Sequence, residues 1–333
     1  MITAVDAEFH SADKSVFHWA ETNHFNFSVP EAAISGYAYV LTRPNLGVCH
    51  SSIYIFQGLC ERAADALFAD AQMHLPCPRS LVDFTLENGL GITVTRPPFD
   101  YDLRYKSRDG ACAFDFSFRA LAEPYDVHSI EQNPLRSQHQ DASQAGAWGE
   151  AWSKGHFDLI GASKGTLTLE GKSYAINCVD GMDHSWGPRP EWEASAIGWM
   201  FMTFGEELAF QIVCPISIVD GQTVYEPLRF GHVCEKGKVT ALVSAEVKAE
   251  SRNLVGVRRE IVATDALGRR WEMVGEAIAG APWHTSNGSF IVYTSLYRWT
   301  MGNKIGHSHI QDVFGVGTLG RRQRATGLIA TQT

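Results

Sequence analysis

The chain has 333 residues, a length that suits one large domain or two ordinary ones. Hydrophobic residues make up 45% and charged residues 20%, which is too apolar for a disordered chain and too charged for a membrane bundle. The net charge of −9 argues against nucleic acid as a partner, because neutralising phosphates requires a basic surface.

Neither a membrane span nor a secretory signal is visible in the sequence. The uncharged, apolar stretches Ala194–Gly205 and Leu208–Val219 have only 12 residues each, whereas a spanning helix needs about 20. The N-terminal residues lack a basic region followed by an apolar one. Seven cysteines occur without a CxxC pair, which favours reduced thiols. We therefore expect a cytoplasmic protein that does not insert into membranes.

Short segments rich in aromatic and β-branched residues recur along the chain and predict strands. In chain order they are Gly36–Leu41, Ser52–Phe56, Ile92–Thr95, Ala113–Phe118, Gly165–Leu169, Trp199–Phe204, Leu208–Val213, Arg258–Thr264, Trp271–Ala277 and Ser289–Tyr297. Turn signals such as Asn88-Gly89 and Glu170-Gly171 separate these segments. Many short strands without βαβ alternation predict an antiparallel, all-β protein.

Two segments do not fit this pattern. Leu59–Met73 is rich in alanine and could form a helix, although its second half, Ala66–His74, could equally pair as a strand after Phe56. His128–Gly149 is the most polar part of the chain. A connection of this length is either a disordered surface insertion or a lid.

The segment Gly181–Pro190 brings an acid, an imidazole, an indole and a guanidinium close together in sequence. In an extended backbone, His184 and Trp186 project to one face, and Asp183 projects to the other. An imidazole can transfer a proton, and an aromatic face can stabilise a cationic transition state on a carbon–carbon double bond. The alternative is structural: Asp183 pairs with Arg189, and Trp186 fills the core beside a histidine that bonds to the backbone.

The run Asp183–Gly187 resembles the DHxWG segment of the carotenoid 1,2-hydratase and kievitone hydratase group, within the AttH-like superfamily of tandem lipocalin-like proteins. Gly155–Asp158 and Gly165–Lys172 are similar to the strands that approach this segment in the family. The resemblance implies two lipocalin-like (calycin-type) antiparallel β-barrels in tandem, and we expect them to occupy residues 1–190 and 191–333. It also implies hydration of isolated or prenyl double bonds, or cyclisation, without a cofactor.

Carried over to this sequence, the family's functional His and Trp correspond to His184 and Trp186, and Asp183 would orient the histidine or hold Arg189. The hydratases that this segment resembles also carry a Tyr-x-Asp motif on a following strand. The Asp of that motif protonates the alkene. This chain has no acid in the comparable segment, Phe210–Val213. The acid would then have to be one of Asp183, Glu206, Glu207 and Asp312. Otherwise the reaction would differ from that of the hydratases.

A second constellation lies near the C-terminus. His307 and His309 share one face of a predicted strand, which could hold a metal, but no complete ligand set is visible. We therefore expect neither a metal nor a cofactor, and we place His309 or Asp312 near the pocket instead. The predicted substrate-binding residues are Arg189, Trp199, Trp283, Tyr293, His309 and Asp312, although strand aromatics can equally belong to the core.

These patterns predict a cofactor-independent enzyme of the lyase or hydratase type. Its reaction would be hydration, dehydration, isomerisation or cyclisation of an apolar, unsaturated small molecule such as a terpenoid, a steroid or an aromatic. The pocket would lie where the two barrels meet. The alternative is a lipocalin-like carrier whose His and Trp only shape a cavity. A homo-oligomer is compatible with either function.

Overall fold

The computed structural model describes residues 1–139, 153–189, 196–219, 222–252, 255–284, 288–325 and 327. About 66% is strand and 9% is helix, so the all-β prediction is confirmed. Short 3-10 turns occur at Ala4–Ala7, Pro30–Ala32, Pro44–Leu46, Ala63–Asp65 and Pro134–His139. A helix, α1 (Val316–Ala325), follows the last strand.

The first sheet is antiparallel and curls around an aromatic core. Its strands are β1 (Trp19–Val29), β2 (Ile34–Arg43), β3 (Val48–Gln57), β4 (Phe68–Pro76), β5 (Asp83–Thr85), β6 (Gly91–Arg96), β7 (Asp100–Lys106), β8 (Cys112–Ala120), β9 (Tyr125–Asp126), β10 (Gly155–Leu169) and β11 (Lys172–Pro188). They run in the order β4-β3-β2-β1-β11-β10-β8-β7-β6-β5, and β9 pairs with β10. The first lipocalin-like unit is thus a curled half-barrel.

The second sheet closes into a barrel. Its strands are β12 (Ala196–Thr203), β13 (Leu208–Val219), β14 (Gln222–Tyr225), β15 (Phe230–Glu235), β16 (Lys238–Arg252), β17 (Val255–Asp265), β18 (Arg270–His284), β19 (Phe290–Met301) and β20 (Lys304–Gly315). Strand β12 pairs with both β13 and β20, which joins the two ends of the sheet. Eight strands enclose a core filled by side chains, as expected for a barrel of this size. The prediction of two tandem lipocalin-like barrels is confirmed.

The outer faces of the two sheets pack against each other. Apolar clusters combine residues from both sheets, such as Tyr54 with Leu296, and Tyr125 with Phe230. On β11, a Cβ at Gly181 would lie 2.1 Å from the ring of Phe201. Glycine is therefore required there for β11 to approach β12. This contact region between the sheets is called the junction below.

The structure decides one alternative and leaves two predictions open. Of the segment Leu59–Met73, Ala63–Asp65 is a 3-10 turn, and Phe68–Pro76 pairs with β3, so the strand alternative holds. The polar segment contains the turn Pro134–His139, whereas residues 140–149 lie outside the described residues. The domain boundary at residue 190 also falls outside them and stays a prediction.

Candidate active site at the junction of the two sheets

The residues of the DHSW segment are divided between two surfaces because side chains alternate along β11. His184 and Trp186 face the interior of the first sheet, where their rings lie 5.4 and 6.5 Å from that of Phe157. Asp183 and Ser185 face outward, and Ser185 Oγ lies 2.7 Å from Thr22 Oγ1 on β1. Asp183 therefore does not orient His184, although the two residues are adjacent in sequence.

His184 is enclosed and neutral. Its ring is 1% exposed, and its Nδ1–H donates to Asn23 Oδ1 at 3.0 Å. Burial, together with the nearby His10 and His156, lowers the pKa of His184 to about 3. On the same face, the indole of Trp186 occupies the space that a side chain at position 155 would need, since a Cβ there would lie 1.9 Å from the indole.

Asp183 is the partly exposed acid of the junction. In the strand register it lies between His24 on β1 and Asp158 on β10. Its carboxylate is 3.8 Å from His24 Nδ1 and is 21% exposed, whereas Asp158 is fully buried. Burial raises the pKa of Asp183 to about 7; the charge of Asp158 adds to this, and His156 and Arg189 oppose it. This carboxyl therefore keeps a substantial protonated fraction near neutral pH.

Two buried histidines flank this acid. Gln311 Nε2–H donates to His24 Nε2 at 2.9 Å, so the ring proton of neutral His24 lies on Nδ1, toward Asp183. Burial, with His309 nearby, lowers the pKa of His24 to about 3. On the other side, His156 Nε2 lies 3.1 Å from Asp158. Burial alone would lower the pKa of His156, but the charge and hydrogen bond of Asp158 raise it.

Half-buried side chains lie beside the two histidines that flank Asp183, or carry charge that acts on its carboxylate. The aromatic ones are Tyr39, whose ring is 5.9 Å from His24, and Trp199, whose ring is 5.1 Å from His156. Arg189 is also half-buried, and its backbone N–H donates to His18 O. These residues combine an acid with aromatic faces, which suits proton transfer to an unsaturated, apolar molecule.

Two of the predicted substrate-binding residues already have strong protein partners. His309 lies at the junction, where Nδ1 is 2.5 Å from Asp180 Oδ2 and Nε2 bonds to Ser35. Asp312 instead faces the interior of the second barrel, where it pairs with the buried Arg259 and accepts a hydrogen bond from Tyr225 at 2.8 Å. In these contacts the His309 imidazole is directed at Asp180 and Ser35, and the Asp312 carboxylate accepts from Arg259 and Tyr225; neither group is directed at Asp183.

The remaining predicted residues are dispersed. Trp283 stacks on Tyr54 at 4.2 Å in another part of the junction. Tyr293 pairs in register with Asp312 and packs on Phe314 within the second barrel. Among the described residues, one group of metal-type ligands lies close together, and it does not contain the His307 and His309 pair.

Sequence reasoning missed most of the junction residues. His24 lies on β1, which was not predicted. Gln311 lies on β20, which was considered mainly for His307 and His309. His156 and Asp158 belong to a segment that was noticed for its family resemblance but was given no role. The available signal was alternation: in Gly155–Asp158, the two polar residues share one face, opposite an aromatic one.

These features define a class of tandem lipocalin-like proteins that carry a titratable polar cluster between their two sheets. The chain belongs to the family described as "Domain of unknown function (DUF7064)", whose model matches residues 3–311. No curated protein sequence matches this chain at a significant level.

Several solved structures share the fold, and two of them cover nearly the whole chain. Kievitone hydratase from Nectria haematococca has 10% sequence identity and a TM-score of 0.54, with 90% of each chain covered. A protein from Nitrosomonas europaea assigned as an AttH has 10% identity and a TM-score of 0.57, with 90% of this chain and 93% of that chain covered. The resemblance to the AttH-like and kievitone hydratase fold is thus confirmed. Across the described ranges, no helix has both the length and the apolar character needed to cross a bilayer.

Proposed function

We propose that this protein is a hydratase-type enzyme that adds water to, or removes it from, a carbon–carbon double bond of an apolar small molecule. The observation that carries the proposal is the position of Asp183, a partly exposed carboxyl between a buried neutral histidine and a buried carboxylate. The fold shared with a kievitone hydratase supports the same class of reaction.

In the proposed reaction, Asp183 donates its proton to one carbon of the double bond. The aromatic faces of Tyr39 and Trp199 stabilise the positive charge that develops on the other carbon. Water attacks this cation, and its proton passes to the Asp183 carboxylate, which restores the acid. The net change is the addition of one water, and no second acid is needed.

Among the four acids considered from the sequence, Asp183 is best suited to this role. Glu206 and Glu207 are exposed at the turn before β13, and Glu206 pairs with Lys164. Asp312 is held by Arg259. Sequence reasoning gave the role of acid and base to His184, and this proposal assigns it to Asp183 instead. The Nδ1–H of His24 is directed toward the Asp183 carboxyl.

The proposal is tested with probes that carry the reactive group. Purified protein is incubated with a prenylated phenol, a linear isoprenoid alcohol and a steroid enone, and products are analysed by mass spectrometry. We expect at least one probe to gain the mass of one water. In D2O the product should carry one deuterium on carbon, because the proton of Asp183 exchanges with solvent.

Two results would contradict the proposal. Tight binding of a probe without conversion would identify a carrier, which needs no acid. Conversion without deuterium on carbon would show that proton delivery to carbon is not part of the reaction.

A further inference from the structure

A second polar group lies on the opposite face of β11, inside the curl of the first sheet. It consists of His10, Glu21 and His184, whose nearest ligand atoms all lie within 4.8 Å of one another. His10 Nδ1 is 3.0 Å and His184 Nε2 is 4.0 Å from the same oxygen, Glu21 Oε2. Glu21 is fully buried, His184 is 1% exposed and His10 is 20% exposed.

Each of these three side chains directs one potential metal-binding atom to a common point. His184 Nδ1–H donates to Asn23, so the lone pair of its neutral ring lies on Nε2. That buried Nε2 has no hydrogen-bond partner among the residues that the structure describes. A lone pair that faces a carboxylate oxygen at 4.0 Å is unfavourable unless a cation or a donor lies between them.

His10 and Glu21 are held in the same manner by outer partners. His10 Nε2 lies 3.2 Å from Asp6 Oδ1, so Nδ1 is left to face Glu21. Glu21 Oε1 accepts hydrogen bonds from the backbone N–H of His10 and from Trp19 Nε1–H. Oε2 therefore remains for the common point. Metal-binding histidines typically donate their other ring N–H to a carboxylate or carbonyl oxygen in this way.

The spacing suits a first-row metal ion. Zinc bonds of about 2.0–2.1 Å in a tetrahedral site separate neighbouring ligand atoms by about 3.3 Å. The two observed separations, 3.0 and 4.0 Å, lie on either side of that value. Modest rotation of the two rings would bring the atoms to it. Two histidines and one carboxylate also form a donor set that zinc and iron both accept.

We infer that His10, Glu21 and His184 bind a first-row divalent metal ion, with a fourth position open on the partly exposed side of His10. The ion joins the N-terminal segment to β1 and β11. The ring of His10 stacks on Trp186 at 3.7 Å with the planes 7° apart, which fixes the ligand against the core. The rival occupant is a proton on His10, shared between Asp6 and Glu21. Within the described part of the chain, it would leave His184 Nε2 without a partner.

Zinc is the probe for this site. Full-length protein is treated with EDTA, dialysed and titrated with zinc by calorimetry, and bound metal is counted by elemental analysis. We expect one zinc per chain, a higher melting temperature with zinc, and visible absorption bands when cobalt replaces zinc. His10→Ala and Glu21→Gln should each weaken binding by more than the about 10- to 100-fold expected for Asp6→Ala, which removes only an outer partner.

Matched controls separate this site from chance binding by thirteen histidines. His307→Ala removes a half-buried imidazole elsewhere and should leave zinc affinity unchanged. His10→Ala should still unfold cooperatively in EDTA, which shows that its loss of zinc binding does not come from a loss of the fold. The inference is overturned if the metal-free protein binds no zinc. It is equally overturned if zinc binding survives both His10→Ala and Glu21→Gln, or is lost in His307→Ala.

Discussion

Asp183 and His184 are neighbours in sequence, but their side chains lie on opposite faces of β11. Asp183 faces the junction beside His24, and His184 faces the interior of the first sheet beside Asn23. One short motif thus supplies residues to two separate polar groups. Substitutions at the two positions should therefore have distinct effects, and the junction side is the one we associate with turnover.

The first prediction concerns the proposed acid. Asp183→Asn should lower turnover by about 100- to 10,000-fold, the range typical of a lost general acid, because the amide keeps the shape but has no acidic proton. Turnover of the probe that the wild-type enzyme converts is the measurement. Glu206→Gln, which removes an exposed carboxylate, is the control and should retain the wild-type rate. A folded Asp183→Asn enzyme with wild-type turnover would move the active site elsewhere.

The second prediction concerns the packing of Trp186. Gly155→Ala should reduce the free energy of unfolding by about 1–3 kcal/mol or more, because the new Cβ overlaps the indole at 1.9 Å. Trp186→Phe removes the overlapping atoms, so the double variant should lose less stability than the sum of the two single variants. Urea unfolding measures the difference. Gly288→Ala, where nothing lies within 4 Å, should be nearly neutral.

The fold was largely accessible from the sequence, because runs of alternating apolar residues coincide with strands. Strand β1 was missed for a physical reason. Its inward face carries Glu21 and Asn23 among the aromatics, and a carboxylate in the middle of an apolar face hides the period of two. Those polar residues are inward because His10 and His184 provide their partners, which no local pattern reveals.

The candidate site was less accessible. The motif correctly drew attention to Asp183, but its partners come from β1, β10 and β20. Gln311 is 128 residues from Asp183 in the chain. Only the packing of the two sheets places Gln311 against His24, the neighbour of Asp183. Sequence spacing also could not show that Asp312, which is close to Gln311, faces the interior of the second barrel and pairs with Arg259.

The third prediction concerns the buried contact between Asp180 and His309, which connects the two sheets. Asp180→Asn should lower the free energy of unfolding by about 3–5 kcal/mol, since it leaves His309 without its buried charged partner. Asp180→Asn combined with His309→Gln should cost less than the two changes added together. Asp102→Asn, which breaks an exposed pair with Arg119, should change stability by only about 0–1 kcal/mol. Equal losses in both pairs would contradict a special role for the junction pair.

The fourth prediction concerns stability in acid. Burial lowers the pKa of His232 to about 4, with Asp158 opposing it, and the pKa of His24 to about 3. Both rings take up protons near pH 6.5 when the chain unfolds, but not while it is folded. The unfolded state therefore binds more protons below pH 6.5, so the free energy of unfolding should fall as pH drops from 6.5 toward 4.

The size and origin of this acid effect can be measured with one matched pair of variants. Each unit of pKa difference corresponds to about 1.4 kcal/mol, so His232 alone should account for a loss on the order of 2–3 kcal/mol between pH 6.5 and 4. His232→Gln keeps a polar side chain beside the ring of Tyr125, 4.4 Å away in the wild-type protein, and should flatten the dependence. His74→Gln changes an exposed histidine and should not. Urea unfolding at each pH measures both slopes, and identical slopes for wild type and His232→Gln would show that another group controls acid unfolding.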